Sequence, residues 1–446
     1  MPAFPLALRL PQLPTAPFCP SEVRGSVEVR PGAPLWQRIL RFAGPGLLVA
    51  VGYMDPGNWA TDIEAGSVFG YSLLFVVLLS SLAAIVLQVL ALRLGLVAQM
   101  DLARACRARY RPGVRRGLWV LAEIAIIACD VAEVLGSALA LHLLVGVSLV
   151  TGIVITAFDT VIVLGLKGKG FRQVEAIVLG LIATIGACFA IELVIAGPDW
   201  HAVAHGFVPH GAAMQDPRAL YLAIGILGAT VMPHNLYLHS SIVQTRKYSD
   251  TAAGKGEAIR FASIDSAVAL MFALFINAAI LIMSAATFHG TGHQDVAEIG
   301  DAYQLLSPLL GTTMASVLFA VALLCSGQNA TLTGTLAGQI VMEGFINLRI
   351  RPWLRRLVTR LIAIVPAVIV IAIYGERGTG PLIILSQVVL SLQLPFAVFP
   401  LVMFTSDPRK MGQFVNAGWV KVLAYAVAVI IALLNIYMLY QIFTGA

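Results

Sequence analysis

From residue 44 onward the chain is a succession of long apolar stretches broken by short polar loops. Each stretch is close to the ~20 residues that a helix needs to cross a bilayer. The pattern predicts eleven spans, at about 44–67, 72–97, 117–141, 143–166, 172–196, 218–241, 260–288, 309–344, 353–374, 380–404 and 418–442. The fold class that follows is an all-α polytopic membrane protein. The turn at Val145-Gly146, between the third and fourth spans, hardly registers in hydropathy, and the eighth span ends in a long, partly polar extension.

Two of the spans are interrupted near their middles. In the first, Gly52-Tyr53-Met54-Asp55-Pro56-Gly57-Asn58 places a carboxylate, a proline and two glycines at bilayer depth. Proline removes a backbone donor and clashes with the preceding turn, and an intramembrane charge costs ~3 kcal/mol or more. In the sixth, Met232-Pro233-His234-Asn235 repeats the x-Pro-x-Asn pattern of Asp55-Pro56-Gly57-Asn58. Unwound backbone at that depth is tolerated only beside protein or a water-filled cavity. Paired interruptions in corresponding places of two halves point to a substrate site in a transporter built from inverted repeats.

Composition narrows the class further. Only 12% of the 446 residues are charged and the mean hydropathy is +0.88. A soluble domain carries roughly 25% charged residues, so one membrane bundle is expected and a string of soluble domains is excluded. The net charge of +6 does not signal nucleic acid, because the basic residues are spread over loops between spans. Those loops are asymmetric. Arg104 to Arg116, Lys167 to Arg172, Arg246 to Arg260, Arg349 with Arg351, and Arg409 with Lys410 follow the even-numbered spans, whereas on the opposite face only Arg218 and Arg377 are basic, and the 289–302 loop is acidic with Asp295, Glu298 and Asp301. The positive-inside rule then places the N-terminus in the cytosol and the C-terminus outside. Residues 1–42 are proline-rich with five arginines and contain no h-region of a signal peptide, so a flexible cytosolic tail is expected. The five cysteines show no metal-ligand or disulfide spacing, and four of them read as small buried hydrophobes.

The interrupted stretches supply a mixed donor set. Asp55 offers a hard anionic oxygen, Asn58 a neutral carbonyl oxygen and Met232 a soft thioether. Pro56 and Pro233 free backbone carbonyls one turn upstream, near Gly52 and Ala229. Oxygen with sulfur suits a borderline transition metal, since calcium and magnesium prefer oxygen alone. Against this stands the ordinary role of methionine as packing in an apolar helix. Further polar residues sit at depth. Glu123, Asp130 and Glu133 share one face of the third span, climbing ~15 Å from its cytosolic end, and Arg355 and Arg356 of the ninth span start from that same end. His234, two residues beyond Met232, can titrate near neutral pH. These groups form either a proton relay or a set of buried ion pairs that hold helices together. Asp159, Glu192, Asp265 and His239 have no role that the sequence discloses.

Asp55-Pro56-Gly57-Asn58, Met232-Pro233-His234-Asn235 and the eighth-span run Gln328-Asn329-Ala330-Thr331-Leu332-Thr333-Gly334-Thr335-Leu336-Ala337-Gly338-Gln339 together resemble the Nramp family, most closely its bacterial proton-coupled manganese and iron branch. The resemblance covers essentially everything after residue 40. It implies the LeuT-like fold: a five-plus-five inverted repeat with unwound helices 1 and 6, plus an eleventh helix. Repeat one would occupy about 44–196, repeat two about 218–404 and the extra helix 418–442, all within a single transporter domain at 43–446. Asp55, Asn58 and Met232 match the family's metal-coordinating side chains, with the carbonyls of Gly52 and Ala229. His234, Glu133, Asp130, Arg355 and Arg356 match its proton network, and Gln387 and Asn277 its polar residues near the site on the tenth and seventh helices, with Gln387 counted among the metal-site residues. The implied function is symport of Mn2+ or Fe2+ with protons into the cytosol across a bacterial inner membrane. The metal is then a transported substrate, no cofactor is expected, and one chain suffices. Met232 argues against the magnesium-carrying branch, which lacks the methionine.

Two other classes fit the sequence less well. A sodium-coupled amino-acid symporter would share the fold, but Asp55 would repel the substrate's carboxylate. A non-transporting membrane sensor or enzyme would need neither matched breaks nor a ladder of acids, and neither a nucleophile-base pair nor a nucleotide loop is evident.

Overall fold

The computed structural model describes residues 24–29, 33–158, 171–209, 216–294, 296 and 298–444. Cys19, Asp159, Lys167, Lys169 and Asp295 lie outside the described residues. The architecture is nearly all helical. Its first elements are a two-residue strand β1 (Val27–Glu28), a short helix α1 (Leu35–Phe42), and the two halves of the first span, α2 (Pro45–Ala50) and α3 (Pro56–Phe69). There follow α4 (Leu74–Ala98), α5 (Leu102–Arg109), α6 (Pro112–Val145), α7 (Leu149–Thr156), α8 (Phe171–Ala196) and α9 (Trp200–Gly206). The sixth span is likewise divided, into α10 (Pro217–Val231) and α11 (Pro233–Ile242), after which β2 (Arg246–Lys247) pairs with β1. The remainder is α12 (Ala252–Thr287), α13 (Ile299–Leu310), α14 (Thr313–Ile346), α15 (Pro352–Tyr374), α16 (Thr379–Thr405), α17 (Pro408–Met411) and α18 (Gly418–Thr444).

Local chemistry explains the boundaries. Asp101, Ser148, Asp199, Asp216, Thr251 and Thr312 each cap the helix that follows with a side-chain oxygen, and prolines occupy the first helical turn of α2, α3, α6, α10, α11 and α15, where their missing N–H costs nothing. The turn that hydropathy barely marks is real: α6 ends at Val145, and Gly146 takes φ 74°, a left-handed C-cap that glycine adopts without strain. Among the described residues, eight helical stretches are long and apolar enough to cross a membrane. Two of them, Pro56–Ala98 and Pro352–Thr405, are each divided by a turn, at Gly70–Leu73 and Gly375–Gly378. Of the expected fourth span, 143–166, residues 143–158 are described, and they hold the end of α6, the turn and α7.

Three elements differ from expectation. The tail is not structureless to residue 42: β1 runs parallel to β2, and α1 follows. The seventh span begins eight residues early, at Ala252, because Thr251 caps it through the Gly254 amide. The polar extension of the eighth span is helix throughout, and α14 runs 34 residues along α6, another 34-residue helix. Outside the spans, Glu298 accepts from Thr379 Oγ1 and the Gly380 amide, each at 2.6 Å, and ties the start of α16 to the loop before α13. Burial pushes its carboxyl up to about 6, against these two hydrogen bonds.

The halves of the first span are pinned separately. In α3, Trp59 is fully buried and meets the edges of Phe189 and Phe319 at 4.7 and 5.2 Å, so this half is locked to α8 and α14. In α2, Asp265 of α12 accepts from the Gly46 amide at 2.7 Å and caps the helix N-terminus, which gives that residue a role the sequence did not disclose. Glu175 meanwhile binds Arg246 at 2.7 Å and Arg172 at 2.9 Å.

Candidate metal site at the paired helix breaks

The first break is a short tight turn, Val51–Met54, followed by one extended residue, Asp55, at φ −73° and ψ 166°. Helical bonding would have Gly52 O accept from the amide of residue 56, and Pro56 has none. In the sixth span, Ala229 O would accept from residue 233, also a proline. Both carbonyls are therefore released by the same cause, and both turn to Asn58 Nδ2, at 3.4 Å from Gly52 O and 3.1 Å from Ala229 O. Asp55 Oδ1 approaches the same nitrogen at 2.7 Å and also caps α3 by accepting from the Asn58 amide at 2.9 Å. The other orphaned carbonyl, Met54 O, accepts from Trp59 Nε1 and Ser326 Oγ. Three oxygens, one of them anionic, thus converge on a single donor.

Met232 completes the second break. It is fully buried and holds φ 29°, ψ 104°, a left-handed conformation that costs a side-chain-bearing residue ~1–3 kcal/mol and persists only where surroundings enforce it. Its side chain packs with Ala125 and Cys129 of α6 and Leu390 of α16. A β-carbon on Gly52 would stand 3.1 Å from the Met232 sulfur and would overlap the Asn235 amide, so glycine at 52 is what lets the two breaks meet. Asn235 Nδ2 lies 3.7 Å from that sulfur.

Asn277 Nδ2 donates to Asn58 Oδ1 at 3.2 Å, and Thr230 Oγ1 stands 3.5 Å from the same oxygen. The Gln387 amide packs on Gly57, where any side chain would collide with it. It donates to Ser386 Oγ at 2.8 Å, makes no hydrogen bond to Asp55 or Asn58, and leaves its own oxygen without a partner. The second oxygen of Asp55, Oδ2, is buried and unpartnered. A cation placed at the meeting point would have Asp55, two carbonyls and the thioether around it once the Asn58 amide turned its oxygen inward. Among the described residues no three His, Cys, Asp or Glu gather as a metal cage. The donor set here is one carboxylate with neutral donors, suited to an ion that has to leave again.

The acids and arginines form one buried cluster beside this site. Arg356 binds Asp130 through Nη1 and Glu133 Oε2 through Nη2, the latter at 2.6 Å. Arg355 reaches Glu123 at 2.7 Å, and Trp119 donates to the same carboxylate. Arg360, missed by sequence reasoning, stands 3.5 Å from Glu133 and donates to Thr331 at 2.8 Å. Its signal was its spacing, since Arg356 and Arg360 at i and i+4 share a helix face. The cluster abuts the site. Gly136 of α6 rests against the Pro56 ring, and Glu133 lies one turn away, ~4.5 Å along the axis. Cys129, beside Met232, has its sulfur 3.8 Å from Glu133 Oε1. His234 is buried in the first turn of α11 with Nδ1 unpartnered, and no hydrogen bond joins it to the acids. Sequence reasoning also missed a polar chain from the first break to α11: Tyr53 OH accepts from Gln88 Nε2 at 2.9 Å, and Gln88 Oε1 lies 3.0 Å from His239 Nδ1. Glu192 is buried with both oxygens unpartnered.

The profile of the family described as Nramp, natural resistance-associated macrophage protein-like, matches residues 46–441. The chain belongs to the Nramp family. Among its Nramp relatives is the divalent metal cation transporter MntH of Ralstonia nicotianae, 59% identical over 436 residues, which are 98% of this chain and 99% of that protein. Crystal structures of variants of the Eremococcus coleocola manganese transporter align with a TM-score of 0.88 at 42% identity, covering 96% of this chain and 92% of that one. Beyond the Nramp family, a nucleobase-cation-symport-1 transporter aligns at TM-score 0.54 and 15% identity, over 90% of this chain and 93% of that one. That likeness shows a shared fold alone.

Proposed function

We propose that this chain carries divalent transition-metal ions into the cytosol together with protons, by alternating access. Mn2+ is the first cargo, with Fe2+ accepted and Co2+, Cd2+ and Zn2+ within the chemical range. The observation that carries the proposal is the convergence of Asp55 Oδ1 with the two carbonyls released by Pro56 and Pro233, beside the Met232 sulfur. Eleven spans in a five-plus-five inverted repeat with an extra helix, the N-terminus cytosolic and the C-terminus outside, fit the divided helices and the loop charges. A bacterial inner membrane and a self-sufficient single chain belong to the same proposal. An amino-acid symporter is disfavoured by Asp55, whose carboxylate already caps α3, the helix end that would receive a substrate carboxylate. Purified protein in proteoliposomes should take up radiolabelled manganese, several-fold faster with an inward proton gradient. Uptake indistinguishable from empty vesicles would sink the proposal, and gradient-independent uptake would remove its proton half.

Met232→Ala is expected to keep manganese uptake within roughly threefold of wild type, under ~1 kcal/mol, because manganese accepts oxygen well. Cadmium, the softer ion, should lose most, and calcium should begin to compete as the pocket becomes roomier. The vacated space beside Ala125, Cys129 and Leu390 costs ~2–5 kcal/mol of stability, so Met232→Leu, which keeps the volume without the sulfur, is run alongside. If calcium stays excluded from both variants, selectivity does not come from the thioether.

A further inference from the structure

Arg218 is one of two basic residues on the face that the proposed topology makes external, and the structure gives it a partner. It stands in the first turn of α10, and its Nε and Nη2 donate to Glu64 Oε1 of α3 at 3.0 and 2.8 Å. Arg218 is exposed, whereas Glu64 is buried. The two residues belong to corresponding halves of the two divided spans. Glu64 lies nine residues beyond Asp55, ~13.5 Å along the helix, and Arg218 eleven residues before Ala229, ~16.5 Å. Nearer the site the same half-helices pack directly. A β-carbon on Gly225 of α10 would stand 3.1 Å from Thr61 Cγ2 of α3, and Thr61 is fully buried. Asp55, Asn58 and Met232 are buried beneath that contact. The Glu298 carboxyl, raised by burial, is pushed further by Asp301 and Glu64, so the start of α16 that it holds meets the same place.

We propose that the ion pair of Arg218 with Glu64 latches the external route to the metal site, closing it while joined and opening it when broken. The latch rests on the transport reading and its topology, and it adds to them what holds that side shut. An ion moving between the paired breaks and the external face has α3 and α10 as walls, since Asp55 begins the one and Ala229 lies near the end of the other. Parting these half-helices separates Arg218 from Glu64 and Thr61 from Gly225 together. Alternating access moves one group of helices against another around a fixed site, so a contact that joins both divided spans on one side is placed to break and re-form with each cycle. A pair with one exposed partner suits that task, being weak enough to release.

Thr61→Cys puts a thiol behind the latch, and spheroplasts carrying the full chain are treated with a membrane-impermeant thiol reagent. The readout is the labelling in excess of the same chain with Thr61 intact, which subtracts the five native cysteines. Glu64→Gln and Arg218→Gln should each raise its rate about fivefold, ~1 kcal/mol in the balance of closed and open forms. The double neutralisation should be no faster than either single one, since both remove the same interaction. Added salt should speed labelling of the parent and leave the neutralised chains unchanged. Parent rates in both single variants would overturn the latch, as would single effects that multiply in the double variant, the mark of general loosening. Only protein that elutes monodisperse is counted, and if one variant fails to fold, the other and the salt response of the parent carry the test. Labelling needs no metal, which separates the latch from the cargo. A parent that labels only in inside-out vesicles would overturn the external placement, whereas absent manganese uptake would count against the cargo with the latch intact.

Discussion

Asp55→Ala is expected to insert and fold but to bind manganese more than ~100-fold more weakly, a loss of about 2.7 kcal/mol or more, with uptake falling to background. The remaining donors at the two breaks are neutral, the carbonyls of Gly52 and Ala229, the Asn58 amide and the Met232 thioether. They cannot repay the dehydration of a divalent ion at bilayer depth, whereas a carboxylate in contact with it supplies several kcal/mol even at an effective dielectric constant of about 20. Asp55 also caps α3, so its removal costs ~1 kcal/mol of helix stability as well. Asp55→Asn keeps the cap and loses only the charge, and it should fail in binding to the same degree. Calorimetric manganese titration of both variants, with their melting temperatures, makes the distinction. Near-normal binding in Asp55→Asn would mean that the charge is not what holds the ion.

Glu133→Ala is expected to separate the two fluxes. Manganese binding at Asp55 should stay within a few-fold of wild type, but metal-stimulated proton influx should fall by about tenfold or more and uptake should no longer accelerate as external pH drops. A divalent ion beside Asp55 disfavours any proton held nearby, and the displaced proton needs an acceptor within the bundle. Glu133 is one turn from the residue that touches Pro56, and its carboxylate is held by Arg356 and Arg360. Those arginines also give the competing account its force, since removing one partner of a buried ion pair costs ~3–5 kcal/mol. In that account Glu133→Ala melts early and the surviving protein couples normally. Asp130 stays on Arg356 in the variant, which leaves that arginine one anionic partner and favours recovery of folded protein. Paired manganese and internal-pH dye readings on the same vesicles decide the matter. Normal coupling in a well-folded variant would make the cluster scaffolding.

Much of the architecture was legible in the chain because the bilayer imposes a length and a polarity on every span. Hydropathy located the helices, and prolines 56 and 233 marked the breaks, since a residue with no N–H must release the carbonyl four places before it. The same logic singles out Gly52 and Ala229, and in the structure their oxygens meet at Asn58. Identity of the donors is likewise a one-dimensional property, as are the seven- and three-residue spacings that put Glu123, Asp130 and Glu133 on one face. What the sequence by itself determined therefore depends on neighbours along one helix: the breaks, the freed carbonyls and the shared face of the acids.

Tertiary structure decided the pairings between helices, for which the chain carries no periodic signal. Which arginine meets which acid, and that Arg360 joins them, depends on the packing of α15 against α6. So does the capping of α2 by Asp265, 219 residues away from Gly46, and the strand β1 that orders part of an apparently featureless tail. Met232 shows the division most clearly. Its thioether is written in the sequence, but its left-handed backbone, and the approach to Gly52 that this backbone permits, exist only because α6, α16 and the first break press on it from three sides.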